Sequence, residues 1–158
     1  MKRLGLLLTI VCLLGISTAN AQSTFGKGDC TANLMVGVGS GLPVSGSMEW
    51  PIVSGLIKGR ASIGLGPYVG FRIPLGTSHV GCLDVSARAA FHYQFVEKLD
   101  TYVGLGLGMW GTFDGKFGAG LGISGYLGAR YYFWDNIGLC TELGYGISYF
   151  SIGACFKL

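Results

Sequence analysis

The chain has 158 residues, of which half are hydrophobic, 12% are charged and 29 are glycine, and its mean hydropathy is positive. That balance excludes a disordered chain, which is charge-rich and poor in aromatics, and glycine at alternate rather than every third position excludes a collagen-like helix. A soluble domain carries about 25% charged residues, so either the surface is unusually bare of charge or much of it does not face water.

Residues 1–21 read as a cleaved signal peptide. Lys2 and Arg3 precede an apolar run, LGLLLTIVCLLGI, and Ala19-Asn20-Ala21 supplies an A-x-A cleavage site. The mature chain is expected to begin at Gln22, with 22–158 forming one domain. The apolar run falls short of the roughly 20 residues of an anchoring helix. Val11 stands before Cys12, where a lipidation site would carry a small residue. Without the leader, nine basic residues face eight acidic ones. So little net charge excludes nucleic acid as a partner.

Downstream no apolar run is long enough for a membrane helix, and the pattern is alternation, the period of a strand. Two short strands come first: 33–39, with Leu34, Val36 and Val38 on one face, and 44–50. In 61–73, Ile63, Leu65, Val69 and Phe71 oppose Ser62, Gly64, Gly66, Tyr68, Gly70 and Arg72. In 82–95, Leu83, Val85, Phe91, Tyr93 and Phe95 oppose Asp84, Ser86, Arg88, His92 and Gln94. In 102–110, Val103, Leu105, Leu107 and Met109 oppose Tyr102, three glycines and Trp110. The longest segment, 117–133, sets Phe117, Leu121, Ile123, Leu127, Tyr131 and Phe133 against Gly118, Gly120, Gly122, Ser124, Tyr126, Arg130 and Tyr132. In 137–147, Ile137, Leu139, Leu143, Tyr145 and Ile147 oppose Cys140 and Glu142. After a turn near Ser148 the phase switches, and Phe150, Ile152, Phe156 and Leu158 oppose Cys155 and Lys157. So many glycines disfavour helix, at about 1 kcal/mol each against alanine. Turns at 54–58, 96–100 and 134–136 fall at one end of the array. Those at 39–43, 74–80, 111–116 and 146–148 fall at the other, which is an up-and-down order.

Every ionisable strand residue, Glu49, Arg72, Asp84, Arg88, Arg130, Glu142 and Lys157, lies on the small, polar face. In a soluble barrel that face would look outward. The opposite face, however, holds several large side chains per strand across eight strands, more volume than a small barrel encloses. A face made mostly of glycine suits a crowded interior. The barrel is therefore expected to be inverted, with aliphatics toward lipid and small and charged residues in the lumen. Outward aromatics gather in two girdles, Trp50, Phe91, Tyr93, Phe95, Tyr131, Phe133 and Phe156 at the terminus end and Phe71, Phe117, Tyr145 and Phe150 at the other. The expected fold is all-β, an eight-stranded antiparallel up-and-down transmembrane β-barrel following a cleaved signal peptide.

From Thr31 to Leu158 the chain resembles the small eight-stranded outer-membrane barrels of Gram-negative bacteria, OmpA-like and OmpX-like. The segments that carry the likeness are YVGLGLGMW (102–110), GARYYFWDN (128–136) and IGACFKL (152–158). The resemblance implies an outer-membrane location, contact with outer-membrane lipid, and a C-terminal strand read by the barrel-insertion machinery. Leu158 stands where a terminal Phe is typical, with Phe156 two residues earlier. A monomer is expected, with short loops and no separate peptidoglycan-binding domain.

Three groups of residues could carry chemistry. The lumen charges, three acids and four bases, are expected to form a salt-bridged plug, since buried charges must be paired. The alternative is a conductive lumen. Tyr68, Tyr102, Trp110, Tyr126 and Tyr132 point inward as filler. If Tyr145 pairs with Phe150 and Leu143 with Ile152, Cys140 faces Cys155 across the last hairpin. A disulfide there and two packed thiols are both open, with Cys30 a rival partner. No CxxC-type spacing supports zinc, and no cofactor is expected. His79, beside Ser78 in a loop, and His92, beside Gln94 in the lumen, are the two histidines, and no G-x-S-x-G is present. The function expected is a structural, envelope-integrity or surface-contact role without catalysis. The alternatives are a small passive channel of porin type and a lipid-modifying enzyme.

Overall fold

The computed structural model describes residues 24–75, 80–114 and 116–158. The signal-peptide reading of 1–21 and the Ser78–His79 pair lie outside these residues.

Eight antiparallel strands follow one another around a closed barrel: β1 Thr31–Val38, β2 Leu42–Gly55, β3 Ala61–Ile73, β4 Gly81–Val96, β5 Leu99–Phe113, β6 Phe117–Tyr132, β7 Ile137–Tyr145 and β8 Phe150–Lys157. The barrel closes where β1 meets β8, from Thr31↔Lys157 to Val38↔Phe150. Alternation sorts the side chains. Leu105 and Ile123 are 67% exposed on the outside, whereas Tyr102 and Arg130 are 4% and 1% exposed on the inside. Both aromatic girdles lie on the outer surface.

The strands are longer than their alternation suggests. β2 runs on to Gly55 and ends in a single turn, α1 (Leu56–Gly59), where Gly55, Ile57, Lys58 and Gly59 all have positive φ. β6 runs past the end of β7, which pairs with it only from Gly125 toward the terminus end, whereas β4 accompanies β5 as far as Gly81↔Phe113. The expected turn over 96–100 narrows to Glu97 and Lys98, which places Asp100 in β5, on the inner face with Tyr102. Nothing in a Val-Glu-Lys-Leu-Asp string marks where pairing resumes. The even phase of Tyr102, carried back two residues, would have placed Asp100 inside.

The last hairpin corrects the expected register. Leu143 pairs with Phe150, Thr141 with Ile152 and Leu139 with Ala154. Cys140 therefore faces Gly153, and Cys155 faces Gly138, rather than each other. The connection is wider than a tight turn. The Gly144 amide donates to the Tyr149 carbonyl at 3.1 Å, and the Tyr149 amide donates to the Val38 carbonyl at 3.1 Å. Within it Ile147, expected outside, is turned inward and 3% exposed. A two-residue slip keeps every side chain on its face, so alternation alone does not choose between the registers.

In a background lacking the native cysteines, Thr141→Cys with Ile152→Cys should form a disulfide at least about tenfold faster than Leu143→Cys with Ile152→Cys, because only the first pair is directly opposed. Gel mobility after mild oxidation reads the difference.

Candidate functional site: the barrel lumen

The terminus half of the lumen is an ionic cluster built from five strands. Arg130 of β6 lies at its centre. Its Nη2 donates to Glu49 Oε2 of β2 at 2.6 Å, its Nη1 to Asp100 Oδ2 of β5 at 3.1 Å, and its Nε to Asn33 Oδ1 of β1 at 3.1 Å. His92 of β4 bridges the same acids. Its Nε2 is 2.8 Å from Glu49 Oε1, and its Nδ1 is 3.0 Å from both oxygens of Asp100. With a carboxylate on each ring nitrogen, both nitrogens donate, which makes the ring an imidazolium. Two cations then balance two anions in a place where an unpaired charge would be costly.

Above this lies a second layer. Arg88 Nη1 pairs with Glu142 Oε2 at 2.9 Å, and Tyr102 donates its hydroxyl to Glu142 Oε1 at 3.0 Å. The Arg88 guanidinium is held between two rings, 3.5 Å from the centre of Tyr68 and 4.1 Å from that of Tyr126. The lumen glycines make these layers fit. A Cβ on Gly104 would lie 2.5 Å from Cζ of Tyr126, and one on Gly128 would lie 2.5 Å from Cζ of Tyr102. Each ring lies over a glycine of the neighbouring strand, so the small residues are sockets for the large ones. Two small cavities border the Arg88–Glu142 pair, each about 10 Å³. That is room for about one water molecule apiece.

Both ends carry a stopper. At the terminus end Phe25 is 2% exposed, with its ring 4.3 Å from that of His92. Ser62 Oγ donates to the Phe25 carbonyl at 2.9 Å, and the Thr24 amide donates to Gln94 Oε1 at 2.7 Å. Lys157, expected in the charge network, is instead at this rim, where it pairs with Asp29 at 3.1 Å. At the far end Ile147 covers the lumen near Gly70. Beneath it Asp84 is fully buried, and among the described residues its carboxylate oxygens accept no hydrogen bond. Arg72 sits nearby in the ladder, at the level of Cys82, with no ion pair among the described residues.

The structure thus brings Glu49 and Arg130 together, and Arg88 with Glu142, while Arg72, Asp84 and Lys157 stand apart from both groups. Asp100, Asn33, Asp29 and Phe25 belong to the site without having been singled out in the sequence. Cys140 and Cys155 are free thiols in the lumen, packed with Met35 and Tyr132. Cys30 lies outside at the rim, where burial pushes its thiol up, leaving it a poor nucleophile.

No protein-family model and no curated protein sequence matches the chain. Solved structures do. The N-terminal β-barrel domain of Pseudomonas aeruginosa OprF aligns with a TM-score of 0.58 and 17% identity, over 84% of this chain and 99% of that one. A de novo designed transmembrane β-barrel aligns at 0.51 and 18%, over 84% and 97%. Neisserial surface protein A (NspA) aligns at 0.50 and 14%, over 82% and 95%.

Replacing Arg130 by Met should cost about 3–5 kcal/mol of stability, because Glu49 and Asp100 lose their shared guanidinium in a buried site. The urea midpoint of the refolded protein checks this. Gly128→Val should also lower the midpoint, by about 1–3 kcal/mol, by driving a side chain into the Tyr102 ring. The chain shares with OprF, NspA and the designed proteins the closed up-and-down β-barrel fold.

Proposed function

We propose that the protein is an integral outer-membrane barrel with a structural, envelope-integrity role, a closed lumen and no catalysis. The observation that carries this reading is the sealed interior. The Arg130 cluster and the Arg88–Glu142 layer cross the lumen, and Phe25 and Ile147 stop its two ends. An open pore would instead leave a continuous polar path. The outer surface supports the location: a belt of exposed Leu, Val, Ile and Phe runs between two aromatic girdles, and such a surface is stable in lipid. Strands β2 to β7 have 9 to 16 residues, enough to span the roughly 9–11 residues a tilted strand needs. Outer-membrane lipid is the main partner. The C-terminal strand, with Ile152 and Phe156 outward, is what the insertion machinery would read. The barrel acts as a monomer, and the β5–β6 hairpin, which extends past the end of β7, is the part available for surface contact. His92 is enclosed by two carboxylates and a phenyl ring, which leaves it no access to a lipid substrate.

Reconstituted into planar bilayers, the purified protein should show no resolved single-channel steps. Regular steps would replace the structural reading with the passive channel. A change in lipid A profile on deletion of the gene would favour the enzyme. Leu105→Arg places a charge on the lipid face near mid-height and should cost about 2–4 kcal/mol. On an unboiled gel the heat-modifiable band of this variant should weaken relative to wild type.

A further inference from the structure

We infer that the outer wall of the barrel carries a lipid-chain site, a groove across β5, β6 and β7 that takes an acyl chain of a membrane phospholipid. Alternation fixes which residues face outward, and register fixes which of them share a level. Thr101, Ala129 and Thr141 are opposed in turn on β5, β6 and β7. All three face outward, and because they are small they are half-buried. Two residues along each strand, Val103, Leu127 and Leu143 are opposed in the same way, and these are 57%, 55% and 51% exposed. A floor of small side chains thus lies at the foot of a step of large ones, over three strands or about 10 Å. The Tyr93 and Phe95 rings of β4, in edge contact at 4.7 Å between centres, wall off the β4 end. Thr101 Oγ1 donates to the Tyr93 carbonyl at 2.6 Å, so its hydroxyl is satisfied within the wall. The groove these residues line holds about 660 Å³, a volume in the range of small-molecule sites.

The surroundings of the groove decide its occupant. It is continuous with the belt of exposed Leu, Val, Ile and Phe, and on its terminus side the next outward residues are Tyr131 and Leu139, each 52% exposed. No residue that lines it is charged. Water does not fill an apolar hollow, and an empty one forfeits the dispersion contacts of its walls. Within the hydrocarbon layer the molecule at hand to fill it is an acyl chain, which is flexible, uncharged and present at high concentration. A second copy of the barrel would need a stable interface of about 1,200–2,000 Å² in total, far more than a hollow three strands wide offers. With no charge to meet a phosphate, the site selects the chain and not the headgroup. That an acyl chain meets this wall in the cell rests on the outer-membrane reading.

The test uses the full chain, refolded from urea into detergent micelles that contain dioleoyl phosphatidylcholine. The sample is washed with lipid-free detergent and its bound lipid is counted by native mass spectrometry. About one phospholipid per barrel should remain after the rest is washed away. Ala129→Phe fills the floor from an outward position and should lower the bound fraction at least about tenfold. Thr141→Leu, a smaller filling of the same floor, should lower it as well. Val85→Phe, on the outer face of β4 away from the groove, should leave it unchanged. Wild-type barrels free of phospholipid overturn the inference, and so does retention that Ala129→Phe leaves unchanged. A species of two chains that Ala129→Phe abolishes also overturns it, because the groove then seats a second copy. Heat-modifiability of the same sample reports the barrel separately. A heat-modifiable barrel without phospholipid fails this inference alone, whereas loss of the heat-modifiable band in the wild-type chain fails the barrel reading with it.

Discussion

Pairing of β1 with β8 closes the sheet on itself, and from that closure two surfaces of opposite demand follow. Each strand residue must face either the outside, which has unlimited room, or a lumen of fixed, small volume. Large aliphatics at alternate positions can go only outward, because an eight-stranded interior is filled by a few side chains per level. What remains inside is glycine, serine, tyrosine and charge. The glycines follow from the tyrosines: Tyr102 needs Gly128 and Tyr126 needs Gly104, since a Cβ at either glycine would occupy the ring's place. High glycine content is thus a packing requirement of this lumen.

Charge inside so narrow a space must be paired, and the pairing joins strands far apart in sequence. Arg130 reaches Asn33, Glu49 and Asp100, whose strands are β1, β2 and β5. His92 adds β4. The cluster therefore acts across the barrel, where ladder hydrogen bonds act only between neighbours. Cooperative hydrogen bonding in a low-dielectric interior strengthens a satisfied network of this kind. It also makes a single deletion costly, because the remaining partners stay buried.

Alternation made the barrel legible in the sequence, and with it the strand number, both girdles and the inward placement of Glu49, Arg88, Arg130 and Glu142. Period two assigns faces and nothing else. It does not fix register, which is why Cys140 and Cys155 were set opposite each other when a slip of two residues was equally consistent with every face. Nor does it locate strand ends, so Asp100 passed as a turn residue and Ile147 as an outward one. Phe25 carries no periodic signal. A single large apolar residue in the stretch Thr24–Cys30, otherwise small and polar, was the trace it left. Pairings such as Arg130 with Glu49 depend on three-dimensional level within the barrel, and sequence separation is silent about that.

The two halves of the lumen are built to different standards. In the terminus half each carboxylate of the Arg130 cluster has cationic partners, and Phe25 excludes water from above the His92 ring. In the far half, Asp84, Ser86, Ser124 and the Trp110 indole hold buried polar atoms with no partner among the described residues, against Thr31 alone at the terminus end. Buried polar groups left unpaired cost stability, whereas paired ones hold the strands in place. The ionic contacts that cross the barrel are therefore concentrated toward the terminus end. The far end is held mainly by its ladders, and there β5 and β6 run on past the end of β7. Local opening draws on the least stabilised part of a fold. In this barrel the cross-strand ion pairs of the described residues lie away from the far rim, so opening at that rim would break none of them.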